Sequence, residues 1–301
     1  AIHQLLFSRR AMDDSAPLQV SMGDDLSRSR EFSVSARPHH PATGTPAGAG
    51  AAQQRDSNCM CGKGCDSLHA AASSNSPLCL ASFLRDGCDP NEFNSEGATP
   101  LYCSTLAGAL DTMSVLLATD GIDLNAGSKA SKNSPLMRAA HQCNIDALQL
   151  LLRHGARVEH RSVFGFSALV CAVSSKPDSV PCVRALLAAG ASTAVQCADR
   201  KYSALHYAAH LKVTEIISAL LEYGADVSLR CKIGRCFTHV AARQGDATSL
   251  RLALDASLFP DSAGAVRETL SVVDSTGMTA LHCALAFGHE EAASVLLGAV
   301  P

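Results

Sequence analysis

The stretch 201–228, KYSALHYAAHLKVTEIISALLEYGADVS, returns along the chain at a nearly fixed period. No other feature constrains the fold as strongly. Within it, Ser203 is placed to cap a helix, because its hydroxyl can accept an orphan N–H of the first turn. Leu205, Ala208 and Ala209 follow at helical spacing, and a break at Leu211 to Thr214 leads to a second apolar period, Ile216, Ile217, Leu220 and Leu221. Gly224 ends that helix, as a residue tolerating positive φ does. Two short helices cannot enclose a core, so the unit needs copies of itself on either side. The chain supplies them. The first leucine recurs at Leu68, Leu101, Leu136, Leu169, Leu205 and Leu281, with Thr238 in its place once; the first four steps are 33, 35, 33 and 36 residues. The closing glycine recurs at Gly87, Gly121, Gly155, Gly190 and Gly224, in steps of 34, 34, 35 and 34.

The openings Thr99-Pro100-Leu101-Tyr102, Ser134-Pro135-Leu136-Met137 and Thr279-Ala280-Leu281-His282-Cys283-Ala284 resemble the T-P-L-H-x-A signature of the ankyrin repeat. The resemblance implies an all-α solenoid of stacked helix-turn-helix units with projecting hairpins. Seven repeats are expected, at about 66–96, 97–132, 133–164, 165–200, 201–233, 234–276 and 277–301, the last incomplete. That is fourteen helices in seven antiparallel pairs, each repeat touching only its neighbours. Asp66 is the expected cap of the first helix. The sixth repeat departs from the pattern: Cys236-Phe237-Thr238-His239 replaces its opening, no glycine closes it, and about ten extra residues follow within SLFPDSAGAVRETLSVV. A long, mobile connection and the weakest interface are expected there.

Residues 1–58 are rich in Ser, Ala, Pro, Gly and Arg, and their six arginines and six acidic residues cancel; this composition predicts a disordered segment. Residues 59–65 form a Cys-rich linker before the repeats. There Cys59, Cys61 and Cys65, with His69 beyond, are thiol and imidazole ligand types that zinc favours. Their spacing is not that of the common zinc modules, and His69 falls on the signature histidine, so surface thiols are expected rather than a metal site. The net charge of −3 is too small to imply a nucleic acid or membrane partner, and no apolar run reaches the roughly 18 residues of a membrane span. Thirteen cysteines, an odd count set mostly within helical registers, suit reduced thiols in an intracellular compartment, the cytoplasm or the nucleus. The first residues lack the pattern of a signal peptide, and an alanine at position 1 suggests a fragment or a processed product.

His69, His206, His239 and His282 share one register, which implies structural bracing rather than catalysis. No nucleophile elbow, phosphate-binding glycine loop or paired-carboxylate constellation occurs, so neither an enzyme nor a cofactor is expected. In the family resembled, the hairpin tips and the first helices line the binding face. At the tips stand Lys129, Lys132, His160, Arg161, Arg200, Lys201, Arg230, Lys232 and Arg235, against only Glu159 and Asp199. The first tip instead carries Glu92 and Glu96 around Phe93. Phe93, Phe164, Phe166 and Tyr202 are the expected apolar contacts. The reading is a monomeric, non-catalytic scaffold that binds another protein, through an acidic segment laid across the tips. The alternative is the substrate-targeting segment of a larger protein, such as a ubiquitin ligase, kinase or channel subunit.

Overall fold

The computed structural model describes residues 67–175, 177–255 and 257–299. The expectations for residues 1–58 and for Cys59, Cys61 and Cys65 lie outside the described residues. Fifteen α-helices are present among those described: α1 Leu68–Ser73, α2 Pro77–Arg85, α3 Pro100–Ala107, α4 Leu110–Leu117, α5 Pro135–His141, α6 Ile145–Arg153, α7 Ala168–Ser175, α8 Val180–Ala188, α9 Ala204–Leu211, α10 Thr214–Glu222, α11 Phe237–Gln244, α12 Ala247–Leu254, α13 Pro260–Thr269, α14 Ala280–Ala286 and α15 Glu290–Ala299. A 3-10 turn, Pro177–Ser179, precedes α8.

The helices begin where side-chain acceptors meet orphan amides. Thr99, Ser134 and Ser167 accept from the amides of Tyr102, Met137 and Val170. Proline follows directly in α3 and α5, at the position where its missing N–H costs nothing. The cap of α1 is Ser67, one residue beyond the expected Asp66. Gly87, Gly121, Gly155, Gly190 and Gly224 all take positive φ past the second helices, as the periodicity requires.

Seven helices, α1, α3, α5, α7, α9, α11 and α14, stack in chain order as one layer; α2, α4, α6, α8, α10, α12 and α15 form the other. The layers meet over one continuous apolar seam. Ala71–Ala72, Ala139–Ala140, Ala208–Ala209 and Ala241–Ala242 are fully buried within the first layer, where small side chains let neighbouring helices approach. Leu101, Leu136, Leu169 and Leu205 fill the space between the layers, each at most 1% exposed.

The expected fourteen helices become fifteen because α13 occupies the insertion after the sixth repeat, where a mobile connection was expected. Pro260 starts it, and Ala263, Val266 and Thr269 form a narrow buried face that lies against α12. Thr238, which stands where the other repeats have leucine, finds partners for its hydroxyl. It is fully buried, yet Oγ1 lies 3.1 Å from Thr269 Oγ1 and 3.2 Å from Cys236 Sγ. The insertion thus brings the polar partner that the substituted position needs.

Candidate functional site

Six hairpins project from the stack, each closed by one amide-to-carbonyl bond. These run from Asn94 to Ala98, Ser128 to Asn133, Ser162 to Phe166, Cys197 to Tyr202, Cys231 to Arg235 and Asp274 to Met278. They are called fingers 1 to 6 below. Fingers 1, 3, 5 and 6 have three-residue tips that end in Gly97, Gly165, Gly234 and Gly277, all at positive φ. This is the turn followed by a left-handed residue that short hairpins favour. Fingers 2 and 4 are one residue longer, and there Lys132 and Lys201 hold the left-handed position at φ 53° and 54°. A side chain in that conformation costs about 1 kcal/mol or more, so the fold alone does not favour lysine at either place.

Main-chain bonds also tie each finger to the next. The amide of Lys129 donates to Gly97 O, Val163 to Ser131 O, Ala198 to Phe164 O, Lys232 to Arg200 O and Ser275 to Ile233 O, all at 2.8–3.0 Å. All six fingers are therefore linked into one edge of fixed order and spacing. The register histidines brace it from below. His206 Nε2 donates to Arg235 O at 3.1 Å, while Nδ1 accepts from Ser203 N at 3.3 Å, which fixes the neutral tautomer. Burial pushes this imidazole down to about 4, against the opposing pull of the Arg235 carbonyl. His239 makes the same bond to Met278 O at 3.1 Å, and His69 reaches Glu92 O and Ala98 O.

The expected contact residues fall into three groups. Lys129, Lys132, Arg161, Lys201, Arg230 and Lys232 are exposed along the edge, as is Phe164 at 45%. Phe93 is half-buried, and Lys129 Nζ sits 4.2 Å above its ring centroid, a cation–π contact that joins fingers 1 and 2. Arg200 is half-buried, and Arg230 is turned along the edge, where its guanidinium donates to Gly234 O and Val273 O.

Three of the expected contact residues are set back from the exposed edge. Tyr202 is only 6% exposed; it closes finger 4, and its ring stacks on His206 and meets Tyr207 edge-on. Phe166 is half-buried against the core and 6.4 Å from Phe164. Arg235 is buried, with Nε donating to Asp274 Oδ2 at 2.9 Å. Burial opposes charge on Asp274, but bonds from Thr276, Met278 and Arg235 outweigh it and hold the carboxyl below the usual range. The sequence showed Arg235 as one more tip cation because its partner lies 39 residues away, beyond the insertion.

A nucleophile-like pair does occur at the start of α11, where Cys236 Sγ lies 3.0 Å from His239 Nδ1. Burial raises this thiol, yet bonds with His239 and Thr238 outweigh burial and bring it below its ordinary value. The sulfur is fully enclosed, so the pair takes over the cap role of Ser203 and His206 and presents nothing to a substrate. Among the described residues no group of three or more His, Cys, Asp or Glu could hold a metal ion, and ten cysteines are free thiols. No helix among them is long and apolar enough to cross a membrane.

Comparison with known proteins agrees with this architecture. The chain is 33% identical over 133 residues to the B-cell lymphoma 3 protein homolog of Mus musculus, covering 43% of this chain and 29% of that protein. It is 26% identical over 203 residues to the E3 ubiquitin-protein ligase KEG of Arabidopsis thaliana, covering 64% of this chain and 12% of that protein. Ankyrin repeat and SOCS box protein 6 of Homo sapiens is 29% identical over 170 residues, covering 54% and 40%. The chain thus spans less than half the length of each of these relatives. The crystal structure of the ankyrin repeat domain of Bcl-3 superposes with a TM-score of 0.65 at 22% identity, over 77% of this chain and 97% of that one. The family model described as ankyrin repeats (3 copies) matches residues 49–128, 125–197, 178–262 and 205–300. Helix pairs, fingers and this match together assign the chain to the ankyrin-repeat family.

Proposed function

We propose that the chain is a non-catalytic scaffold that binds an acidic protein segment along the finger edge. The observation that carries this reading is the relay of main-chain bonds between fingers, which links the fingers bearing exposed Lys129, Lys132, Lys201 and Lys232 in fixed order. Single exposed ion pairs are worth only about 0–1 kcal/mol each, so no one lysine is decisive. Several in fixed order steer association and set polarity. Lys132 and Lys201 strengthen the reading, since both stand where backbone conformation favours glycine. Glu96 at the tip of finger 1 repels the same ligand and marks where it ends. The free thiols suit a reducing intracellular compartment.

The test is binding of a labelled poly-aspartate peptide to the wild type and to a variant with Lys129, Lys132, Lys201 and Lys232 all changed to Glu. Both are first shown to fold alike by circular dichroism. Loss of binding in the variant at low salt supports the edge; equal binding refutes it and moves the search to the first-layer helices. A second reading, the substrate-targeting segment of a larger protein such as a ubiquitin ligase, is favoured by the likeness to the E3 ubiquitin-protein ligase KEG and to Ankyrin repeat and SOCS box protein 6.

A further inference from the structure

The tips differ in chemistry in a way that charge alone does not exploit. Finger 1 carries Glu96; finger 2, Lys129 and Lys132; finger 3, Val163 and Phe164; finger 4, Lys201 together with Asp199, whose carboxylate lies 3.9 Å from Arg200 Nε and leaves a net cation; and finger 5, Lys232. Val163 and Phe164 are 55% and 45% exposed, though large apolar side chains in a family of buried seams gain nothing from water. Their backbones are already engaged: the Val163 amide faces finger 2 and the Phe164 carbonyl faces finger 4. The apolar tip is therefore held between two cationic ones.

Resting on the acidic-segment reading above, we infer that the ligand is an extended segment with one specific pattern. An acidic residue meets finger 2, a large apolar residue meets finger 3, and acidic residues meet fingers 4 and 5. Fingers follow the spacing of the helices that carry them, about 8–10 Å. An extended chain in the polyproline-II form rises about 3.1 Å per residue with three residues per turn, so the contacts recur on one face at every third position. A helix is the poorer fit. Helices bind through several apolar anchors laid in a groove, and across fingers 2 to 5 the edge exposes a large apolar surface only at Val163 and Phe164.

The test uses the full chain and three labelled peptides, read by fluorescence anisotropy at low salt. The first has the acid, Phe, acid, acid order at every third position. The second has the same composition with Phe moved to the end of the series, so that neither direction of binding matches. The third is a helical peptide with the same order spaced by heptads. The in-register peptide is expected to bind roughly tenfold tighter than the displaced one, and Phe164→Ala to abolish that preference. Equal affinity for the first two, with both lost in the four-lysine variant, overturns the pattern and leaves the charged edge standing. Equal affinity that survives the four-lysine variant overturns both. Tighter binding of the heptad peptide overturns the extended conformation.

Discussion

Removing the carboxylate of Asp274 tests how the sixth and seventh repeats are joined. Its Oδ2 accepts from Arg235 Nε, and its Oδ1 accepts from the amides of Thr276 and Met278 and from the Thr276 hydroxyl. The carboxylate is 0% exposed and the Arg235 side chain 6%. Asp274→Ala leaves a guanidinium buried without its anion and opens finger 6. A broken buried pair of this kind costs about 3–5 kcal/mol. Asp274→Asn keeps one oxygen for the turn and surrenders the charge, so its cost is nearer 1–3 kcal/mol, the penalty of a weakened buried hydrogen bond. Urea titration followed by far-ultraviolet circular dichroism measures both. Hydrogen exchange locates the loss, which should fall on α14 and α15 before α9 because repeats are stabilised by their neighbours. An unshifted midpoint for Asp274→Ala, or equal damage from both variants, refutes the reasoning.

Three further outcomes follow from buried or strained positions. Leu205→Ala should cost about 2–5 kcal/mol through lost transfer energy and a cavity in a seam where it is 1% exposed, read by the same titration. Lys132→Gly and Lys201→Gly should each stabilise by up to about 1 kcal/mol, whereas Gly155→Ala should destabilise by a similar amount, although no atom lies within 4 Å of the added carbon; thermal melts showing the opposite order would refute the strain argument. The unfolded chain takes up a proton at His206 below about pH 6.5, while the folded imidazole refuses it until about 4. Stability contributed by neutral His206 is therefore present above pH 6.5 and lost as pH falls toward 4, by at most about 3 kcal/mol, and His206→Gln should lack that slope.

The stack was legible in the sequence because two independent clocks, the leucine at each opening and the glycine at each close, marked both ends of the same unit. Leu205 and Gly224 could be assigned from spacing alone. The helix α13 was not, since its buried face is only Ala263, Val266 and Thr269, set among serine and glycine that read as a loop. The edge was legible as to which residues stand near the tips. Which of them face water was not. Position in the finger decides that: the residue closing the hairpin turns inward, as Asn133, Tyr202 and Arg235 do, while Lys132 and Lys201 just before it stay outside. Arg235 looked equivalent to Arg230 until Asp274, across the insertion, drew it in. Contacts between distant segments carry no local signal in composition or period.

The added helix α13 also makes the chain unequal in length along its own axis. A stacked array under tension gives way unit by unit, and each ordinary unit releases a similar span. The link from α12 to α14 stores more, because the ten residues of α13 are folded against the side of the array rather than contributing to its rise. Drawn out, they amount to about 35 Å of slack. A load applied at the carboxyl end therefore meets a reserve before it reaches the central repeats. The edge formed by fingers 2 to 5 keeps its spacing while the last unit is pulled away.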